Sequence, residues 1–281
     1  EAGNRMSDEN LSNCLVIASR SDAGMVRTHN EDAVFVSASS GLIVLADGMG
    51  GYNAGEVAAG MAISLLGGEL EKSIATRRLQ RNGLAVRADA QALLESHVAS
   101  ANSAIYEAAQ SQPQYAGMGT TLVMGLFYDN AVTFAHIGDS RAYRFREGRL
   151  EQLTRDHSLL QEQIDSGMIT LEEARLSQNR NLVTRALGVD PAVQAEIRDF
   201  DTTPGDIYLL CSDGLNDMVC DGEIAHIVGK YADDPEDAAA RLTQQANENG
   251  GRDNVSVILI RIAHEYPASR GLLARLLAWF R

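Results

Sequence analysis

Apolar and polar positions alternate in two ways along the chain, which separates strand-like from helix-like segments. Residues 42–46 (LIVLA) form an unbroken apolar run, which is typical of a strand buried on both faces. Residues 54–73 are rich in alanine at helical spacing, and residues 86–110 predict one long helix. Shorter segments bounded by turn residues predict further strands at residues 14–19, 33–37, 120–127, 131–137, 141–146, 194–199, 206–212 and 254–262.

The order of these segments predicts the fold class. Short helices are expected within residues 157–180, and longer ones at 221–230 and 235–249. Strands at hairpin spacing, with the helices in separate blocks, predict an α+β fold with mostly antiparallel sheets. The expected organisation is an N-terminal extension, with residues 1–5 a cloning remnant, then one domain and a C-terminal tail, at residues 1–11, 12–263 and 264–281.

The composition and the net charge argue against several classes of function. The 281 residues are 45% apolar and 22% charged, as in ordinary globular proteins. Lys and Arg number 24 against 38 Asp and Glu, a net charge of −14, which argues against a nucleic-acid binder because such proteins need cations for the phosphates. The chain shows neither a secretory leader nor the ~20 apolar residues of a membrane span, so a cytoplasmic location is expected. Cys14 and Cys211 lie in apolar runs and are expected to be buried thiols.

Acidic residues cluster at the ends of several predicted strands. Asp47-Gly48 and Asp213-Gly214 each follow an apolar strand, and three further clusters occupy residues 27–32, 136–141 and 250–254. For a single Asp-Gly pair, a hairpin turn is the favoured interpretation. Five acidic clusters in one domain are harder to explain in this way, because gathered carboxylates repel each other and lose hydration unless a cation is present.

The residue types in these clusters suggest their chemistry. Oxygen ligands without a Cys/His set favour Mg²⁺ or Mn²⁺, and the glycine after Asp47 would let the Gly48 carbonyl approach an ion. A bridging carboxylate can hold two ions about 3.5–4 Å apart, an arrangement that activates water and binds a phosphoryl group. Arg27 could pair with phosphate, or it could be a surface residue that balances Glu31 and Asp32. The spacing therefore predicts a two-metal phosphoryl hydrolase.

Six motifs occur in a fixed order: Arg27-x-x-x-Glu31-Asp32, LADGMGG (45–51), GTT (119–121), HIGDSRAY (136–143), LLCSDGL (209–215) and GGRDNVSVI (250–258). The ordered set resembles the metal-dependent protein phosphatase (PPM) family, the type-two-C class of Ser/Thr phosphatases, in its compact bacterial form. The resemblance extends over about residues 14–262. It implies a four-layer α-β-β-α sandwich with two central antiparallel sheets. It also implies hydrolysis of phosphoserine and phosphothreonine in proteins by a metal-activated water, without a phospho-enzyme intermediate.

The resemblance also implies roles for individual residues. Asp47 would bridge two Mn²⁺ or Mg²⁺ ions, and Gly48 would offer its carbonyl oxygen to one of them. Asp213 and Asp253 would complete the first ion's site, and Glu31 would serve the second ion directly or through water. The catalytic residues carried over from the family are Arg27, which would hold the substrate phosphate, Asp47 and Asp213.

A third, weaker ion site in bacterial members would fall on Asp139 and Asp213, with Asp217 assisting. Asp32 and Asn254 match motif positions and are expected to support the ligands from behind.

One position departs from the family pattern. Some members carry a histidine after the metal-site Asp-Gly as a general acid, and this chain has Met49, which has no proton to donate. A metal-bound water could protonate the leaving group, or another group such as His29 could do so. His136 and His157 are expected to be structural.

The tail and the partners are further expectations. Residues 269–281 (SRGLLARLLAWFR) predict an amphipathic helix. Docking on the domain's own surface is favoured for it, and an anionic membrane surface or a partner protein stay open as alternatives. Phosphorylated proteins are the expected substrates, a bacterial Ser/Thr kinase the opposing enzyme, and a monomer the expected state. Two rival functions are a metal-free binding module with the phosphatase fold and a two-metal phosphodiesterase.

Overall fold

The structure is a computed structural model that describes residues 11–51, 53–79, 87–177 and 182–267. Most of the predicted N-terminal extension and the whole of the predicted helix at 269–281 lie outside the described residues, so both stay predictions, as do the domain boundaries. Within the described residues, no helix combines the length and the apolar character that a membrane crossing requires.

The described residues contain both short and long strands. In chain order the strands are β1 (Leu15–Asp22), β2 (Asp32–Ser37), β3 (Leu42–Met49), β4 (Gly119–Thr120), β5 (Leu122–Tyr128), β6 (Ala131–Ile137), β7 (Arg141–Arg146), β8 (Arg149–Gln152), β9 (Glu196–Asp201), β10 (Ile207–Cys211) and β11 (Val255–Ile262). The β5–β6 hairpin turns through Asp129 and Asn130, whose φ angles of 44° and 54° are those of the tight turns that Asp and Asn favour.

The helices are grouped along the chain, as the sequence predicts. They are α1 (Ala54–Ile63), α2 (Leu70–Leu79), α3 (Arg87–Ser111), α4 (Leu159–Asp165), α5 (Leu171–Leu176), α6 (Asp213–Asn216), α7 (Asp221–Lys230) and α8 (Pro235–Glu248). A π-helical segment, Ser64–Glu69, joins α1 to α2, and short 3-10 turns occur at Leu11–Asn13 and Pro113–Tyr115.

The strands form two antiparallel sheets. One sheet has the order β1-β11-β10-β7-β8, and the other has the order β2-β3-β5-β6-β9, with β4 paired to β3. Each pairing in both sheets is antiparallel, which confirms the predicted α+β class.

Side chains on β3 show why this strand is apolar throughout. Leu42, Val44 and Ala46 pack in a core with α1 and α3, whereas Ile43 and Leu45 pack in the core between the two sheets. Alternate side chains on a strand point to opposite faces, so both faces of β3 are buried, as predicted.

The second sheet is covered on its outer face in the same way. On β11, Val257 and Leu259 pack with Leu242 of α8, whereas Ile258 and Ile260 enter the core between the sheets. Burial of each large apolar side chain contributes ~1.5–3 kcal/mol. Helices therefore lie outside both sheets, and the predicted α-β-β-α sandwich is confirmed. Cys14 and Cys211 are buried thiols, also as predicted.

Three local features differ from the sequence prediction. The helix predicted at 54–73 is interrupted by the π-helical segment, where a Cβ on Gly67 would lie 2.7 Å from the Phe35 ring. Strand β8 and helix α6 were not predicted: β8 is a largely exposed edge strand, and α6 has four residues. Hydrophobic periodicity detects buried faces, so a polar edge strand and a single helical turn leave little signal.

Candidate active site

The strand ends that carry the predicted acidic residues meet at one end of the sandwich. Asp32 on β2 pairs in register with Asp47 on β3. In the other sheet the last residue of β10 pairs with the first residue of β7. This pairing brings Asp213, two residues after β10, towards Asp139, two residues before β7. Asp253 stands two residues before β11, the other neighbour of β10.

These carboxyl groups share one electrostatic environment. Burial, and after it the charges of Asp32, Asp213, Asp139 and Asp253, raise the pKa of Asp47 well above its ordinary value. Burial raises the pKa of Asp213 in the same way, with Asp139 its strongest repulsive neighbour. Burial also raises the pKa of Asp32 and that of Asp139 to about 6 each. Groups held together in this way either retain protons or, when all are ionised at neutral pH, need a compensating positive charge.

Two carboxylate oxygens in this group are buried without a hydrogen-bond partner: Oε1 of Glu31 and Oδ1 of Asp32. The other oxygen of Asp32 accepts a hydrogen bond from the Ser212 hydroxyl at 2.8 Å. A buried acceptor without a donor costs roughly 1–3 kcal/mol, and a charged one costs more. Hard divalent cations bind oxygen ligands of this kind, so the donor set fits Mg²⁺ or Mn²⁺.

The backbone around Gly48 is packed too tightly for a side chain. The Gly48 amide donates to the Glu31 carbonyl at 3.1 Å, and a Cβ on Gly48 would lie 2.1 Å from the carbonyl oxygen of Gly55. A Cβ on Gly55 would in turn lie 2.7 Å from Oε1 of Glu31. Gly55 was not predicted as a site residue, because a lone glycine near a helix start does not reveal what it must approach.

Asn254 holds the loop that carries Glu31. Its Oδ1 accepts the Glu31 amide at 2.8 Å, and its Nδ2 donates to the carbonyls of Ala23 at 3.0 Å and His29 at 2.9 Å. One buried side chain thus fixes three points of the β1–β2 loop next to Asp253.

Arg27 lies at the exposed edge of the same group. Its Nη2 donates to Oδ2 of Asp253 at 2.7 Å, and half of the Arg27 side chain remains exposed. The preceding loop is fixed by the Met25 amide, which donates to the Gly251 carbonyl at 2.7 Å. A guanidinium held in this position can bind a phosphate group that approaches from solvent.

Asp139 and its neighbours form the other side of the group. Asp139 is buried, and its pKa responds to the charges of Asp156, Asp217 and Arg141. Arg141 donates to both carboxylate oxygens of Asp156, at 2.6 Å for the Nη2–Oδ2 contact. The Arg141–Asp156 pair was not predicted from the sequence. Nothing in the spacing of these residues indicates that they meet.

The predicted site residues therefore gather in one place. The structure brings together Arg27, Glu31, Asp32, Asp47, Gly48, Asp139, Asp213, Asp217, Asp253 and Asn254. His29 is exposed, and Met49 is partly buried at the end of β3. Ser212, whose hydroxyl donates to Asp32, was not among the predicted residues.

Comparison with known proteins identifies relatives of this arrangement. The family model described as protein phosphatase 2C matches residues 25–255. The serine/threonine protein phosphatase PstP of Mycobacterium tuberculosis is 39% identical over 261 residues, which cover 92% of this chain and 48% of PstP. The chain thus spans about half the length of that relative. The serine/threonine phosphatase stp of Listeria welshimeri is 37% identical over 246 residues, covering 86% of this chain and 93% of stp.

Solved structures share the fold as well. A crystal structure of the PstP catalytic domain in complex with two manganese ions has 39% identity and a TM-score of 0.77, and it covers 89% of this chain and 99% of that one. The family model covers most of the chain, and both relatives exceed 30% identity. The chain therefore belongs to the protein phosphatase 2C family, which is the PPM family that the motifs resemble.

Proposed function

We propose that this protein is a metal-dependent phosphatase that hydrolyses phosphoserine and phosphothreonine in proteins. The observation that carries the proposal is the set of acidic side chains at one end of the two sheets, with buried oxygens of Glu31 and Asp32 that have no donor. Membership of the protein phosphatase 2C family supports the same activity.

The residues fit two divalent cations, with Mn²⁺ and Mg²⁺ as the candidates. Asp47 would bridge them, the Gly48 carbonyl and Glu31 would bind on one side, and Asp213 and Asp253 would bind on the other. A third, weaker site would use Asp139 and Asp213, with Asp217. When bound, such a pair of ions lowers the pKa of a water molecule and offsets negative charge on a phosphoryl group.

The chain's own residues supply positioning and charge. Arg27 would turn from Asp253 towards the substrate and pair with two phosphoryl oxygens, which bear more charge as the reaction proceeds. Asn254 keeps Glu31 in place through the backbone, and Ser212 orients Asp32 behind Asp47. The proposed catalytic residues are Arg27, Asp47 and Asp213. Asp32 and Asn254 act as supports.

The proposed partners follow from this activity. Phosphorylated proteins would be the substrates, and a Ser/Thr kinase would be the enzyme that the phosphatase opposes. The net charge of −14 does not favour nucleic acid as a partner.

Hydrolysis of p-nitrophenyl phosphate with Mn²⁺, with Mg²⁺ and with EDTA tests the proposal. Turnover should require a metal and should collapse in Asp213→Asn, whereas Asp233→Asn, at a fully exposed carboxylate, should behave as wild type. Release of phosphate from phosphoserine and phosphothreonine peptides tests the substrate class. Absence of turnover with either metal would favour a binding module, and cleavage of bis-p-nitrophenyl phosphate in preference to the monoester would favour a phosphodiesterase.

A further inference from the structure

The loop that carries Asp139 is fastened on both sides to one dipeptide, Asp156-His157. On one side, the Gly138 carbonyl accepts the His157 amide at 2.8 Å, and the Gly138 amide donates to Nδ1 of His157 at 3.2 Å. On the other side, Arg141 donates to Oδ1 of Asp156 at 3.0 Å and to Oδ2 at 2.6 Å. Asp139 lies between these two attachments, so its position depends on both.

Gly138 makes the first attachment necessary. Its φ of 105° lies in a region that side chains disfavour, and a Cβ there would lie 2.7 Å from the Thr121 side chain. A glycine at this position fits the space but leaves the backbone before Asp139 free to rotate. The two hydrogen bonds between Gly138 and His157 restrict that rotation.

The surroundings of His157 keep its imidazole ring neutral, as the hydrogen bond from the Gly138 amide to Nδ1 requires. Burial, followed by the neighbouring His136, lowers the pKa of His157 to about 4, so the ring is neutral at pH 7. The two imidazoles are stacked, with their centroids 4.6 Å apart. A neutral ring that accepts at Nδ1 carries its proton on Nε2, which faces Oε2 of Glu196 at 3.6 Å.

The same geometry argues against a metal site at this cluster. His136, His157 and Glu196 offer ligand atoms within 4.8 Å of one another, a spacing compatible with one ion. Nε2 of His136 donates to the Arg155 carbonyl at 2.7 Å. Nε2 of His157 has no lone pair to offer while Nδ1 accepts the Gly138 amide. Metal binding would have to break that hydrogen bond. The arrangement therefore favours a role in which His157 positions Gly138.

We propose that His157 is a positioning residue whose Nδ1 fixes the Ile137–Gly138 peptide, while its backbone amide holds the Gly138 carbonyl, and which thereby sets the Asp139 carboxylate for an ion shared with Asp213. This inference rests on the metal role proposed for Asp139. Residues that orient metal ligands from behind typically change metal affinity by ~10–100-fold when they are replaced. Loss of the Nδ1 acceptor should therefore weaken the Asp139-dependent ion by about tenfold or more.

Three substitutions separate hydrogen bonding from packing. In His157→Asn the amide oxygen lies near the position of Nδ1, whereas in His157→Gln the longer side chain reaches the position of Nε2, and His157→Ala removes both. Mn²⁺ binding to the full chain, followed by the electron paramagnetic resonance of free Mn²⁺, would give the affinity and number of ions. The ion lost in Asp139→Asn identifies the relevant site.

We expect His157→Asn to keep the affinity of that ion close to wild type, and we expect His157→Gln and His157→Ala to lower it about tenfold. Amide exchange at Gly138 in EDTA should accelerate in the same two variants. Glu196→Gln leaves the Nδ1 contact intact and should bind Mn²⁺ as wild type. Thermal unfolding in EDTA verifies that each variant is folded, and the Asn/Gln pair suffices if His157→Ala is unstable.

Several results would overturn the inference. They are equal weakening in the Asn and Gln variants, better binding in Gln than in Asn, unchanged binding in all three, or no ion lost in Asp139→Asn. An additional ion in wild type that disappears in Glu196→Gln would establish the His-His-Glu cluster as a metal site instead. Mn²⁺ binding is measured without turnover, so failure of the phosphatase proposal on phosphopeptides would be recognised separately.

Discussion

Arg27 and Asp253 form a 2.7 Å ion pair between the residue proposed to bind phosphate and a residue proposed to bind metal. The contact joins the β1–β2 loop to the loop before β11, at the edge of the carboxylate group. The guanidinium therefore compensates the charge of a carboxylate that is also proposed to bind an ion. A bound phosphate would compensate the charge of Arg27, and a bound metal ion would compensate that of Asp253.

Because Arg27 pairs with Asp253, we expect Arg27→Met to lower the activity on substrate without lowering the affinity for metal. Loss of charged hydrogen bonds to phosphate, roughly 1.5–3 kcal/mol, should lower kcat/KM for p-nitrophenyl phosphate by about 10–100-fold. Mn²⁺ affinity should stay the same or increase, because Asp253 loses a competing cation. Steady-state kinetics and Mn²⁺ titration measure the two effects. Arg20→Met, at an exposed arginine of β1, is the matched control, and weaker Mn²⁺ binding in Arg27→Met would contradict the expectation.

The stability of the metal-free protein should fall as pH rises from 6.5 to 8. Asp47 and Asp213 have pKa values raised well above those of the unfolded chain, so the folded state holds protons that the unfolded state has lost. The lowered pKa values of His136 and His157 act in the opposite direction, because the imidazoles of the unfolded chain are about half protonated at pH 6.5, but this effect has nearly vanished by about pH 7.5. Thermal melts in EDTA at pH 6.5, 7, 7.5 and 8 would measure the effect. Each kcal/mol corresponds to ~2–4 °C in a domain of this size.

Asp213→Asn is the control for this pH dependence, because an amide does not ionise. Its Tm in EDTA should exceed that of wild type at pH 8 and should change less with pH. Saturating Mn²⁺ should raise the wild-type Tm, and more so at pH 8 than at pH 6.5, since binding requires deprotonated carboxylates. A wild-type Tm in EDTA that rises over this range would contradict the assigned pKa directions.

Much of the fold could be predicted because apolar patterning reports directly on burial. Strand β3 was predicted from five consecutive apolar residues, and the structure explains the pattern by cores on both of its faces. The π-helical segment could not be predicted in this way, and the close approach of its Gly67 to Phe35 of β2 is a contact between distant parts of the chain. Tertiary contacts between distant parts of the chain leave no local periodicity.

The residues of the candidate site show the same distinction between local sequence signals and tertiary contacts. Motif residues such as Asp47 and Asp213 carry a signal in their sequence context, a carboxylate directly after a buried strand. Ser212 and Arg141 lie in the same motifs, but the contacts that they and His157 make exist only in the folded chain, so the sequence does not reveal their partners.

Replacement of His29 tests whether this residue donates a proton to the leaving group. The imidazole is exposed, and the contact that fixes the residue is made by its backbone carbonyl with Asn254. We therefore expect His29→Asn to hydrolyse both p-nitrophenyl phosphate and a phosphoserine peptide within about twofold of wild type. A general acid is needed far more for the alkoxide of serine than for p-nitrophenolate, so a selective loss on the peptide would identify His29 as the acid.

Gly48, near the end of β3, and Gly51, three residues later, give a matched pair of alanine substitutions. A Cβ at Gly48 would lie 2.1 Å from the Gly55 carbonyl oxygen and 2.6 Å from that of Glu31, whereas a Cβ at Gly51 meets nothing within 4 Å. Gly48→Ala must therefore separate β3 from α1 or from the Glu31 loop, displacing two proposed metal ligands, and steric overpacking of this kind costs ~1–3 kcal/mol. We expect Gly48→Ala to lower the Tm in EDTA and to lose most Mn²⁺-dependent stabilisation, and Gly51→Ala to retain both. Equal Mn²⁺ responses in the two variants would show that the Gly48 backbone does not contribute to the ion site.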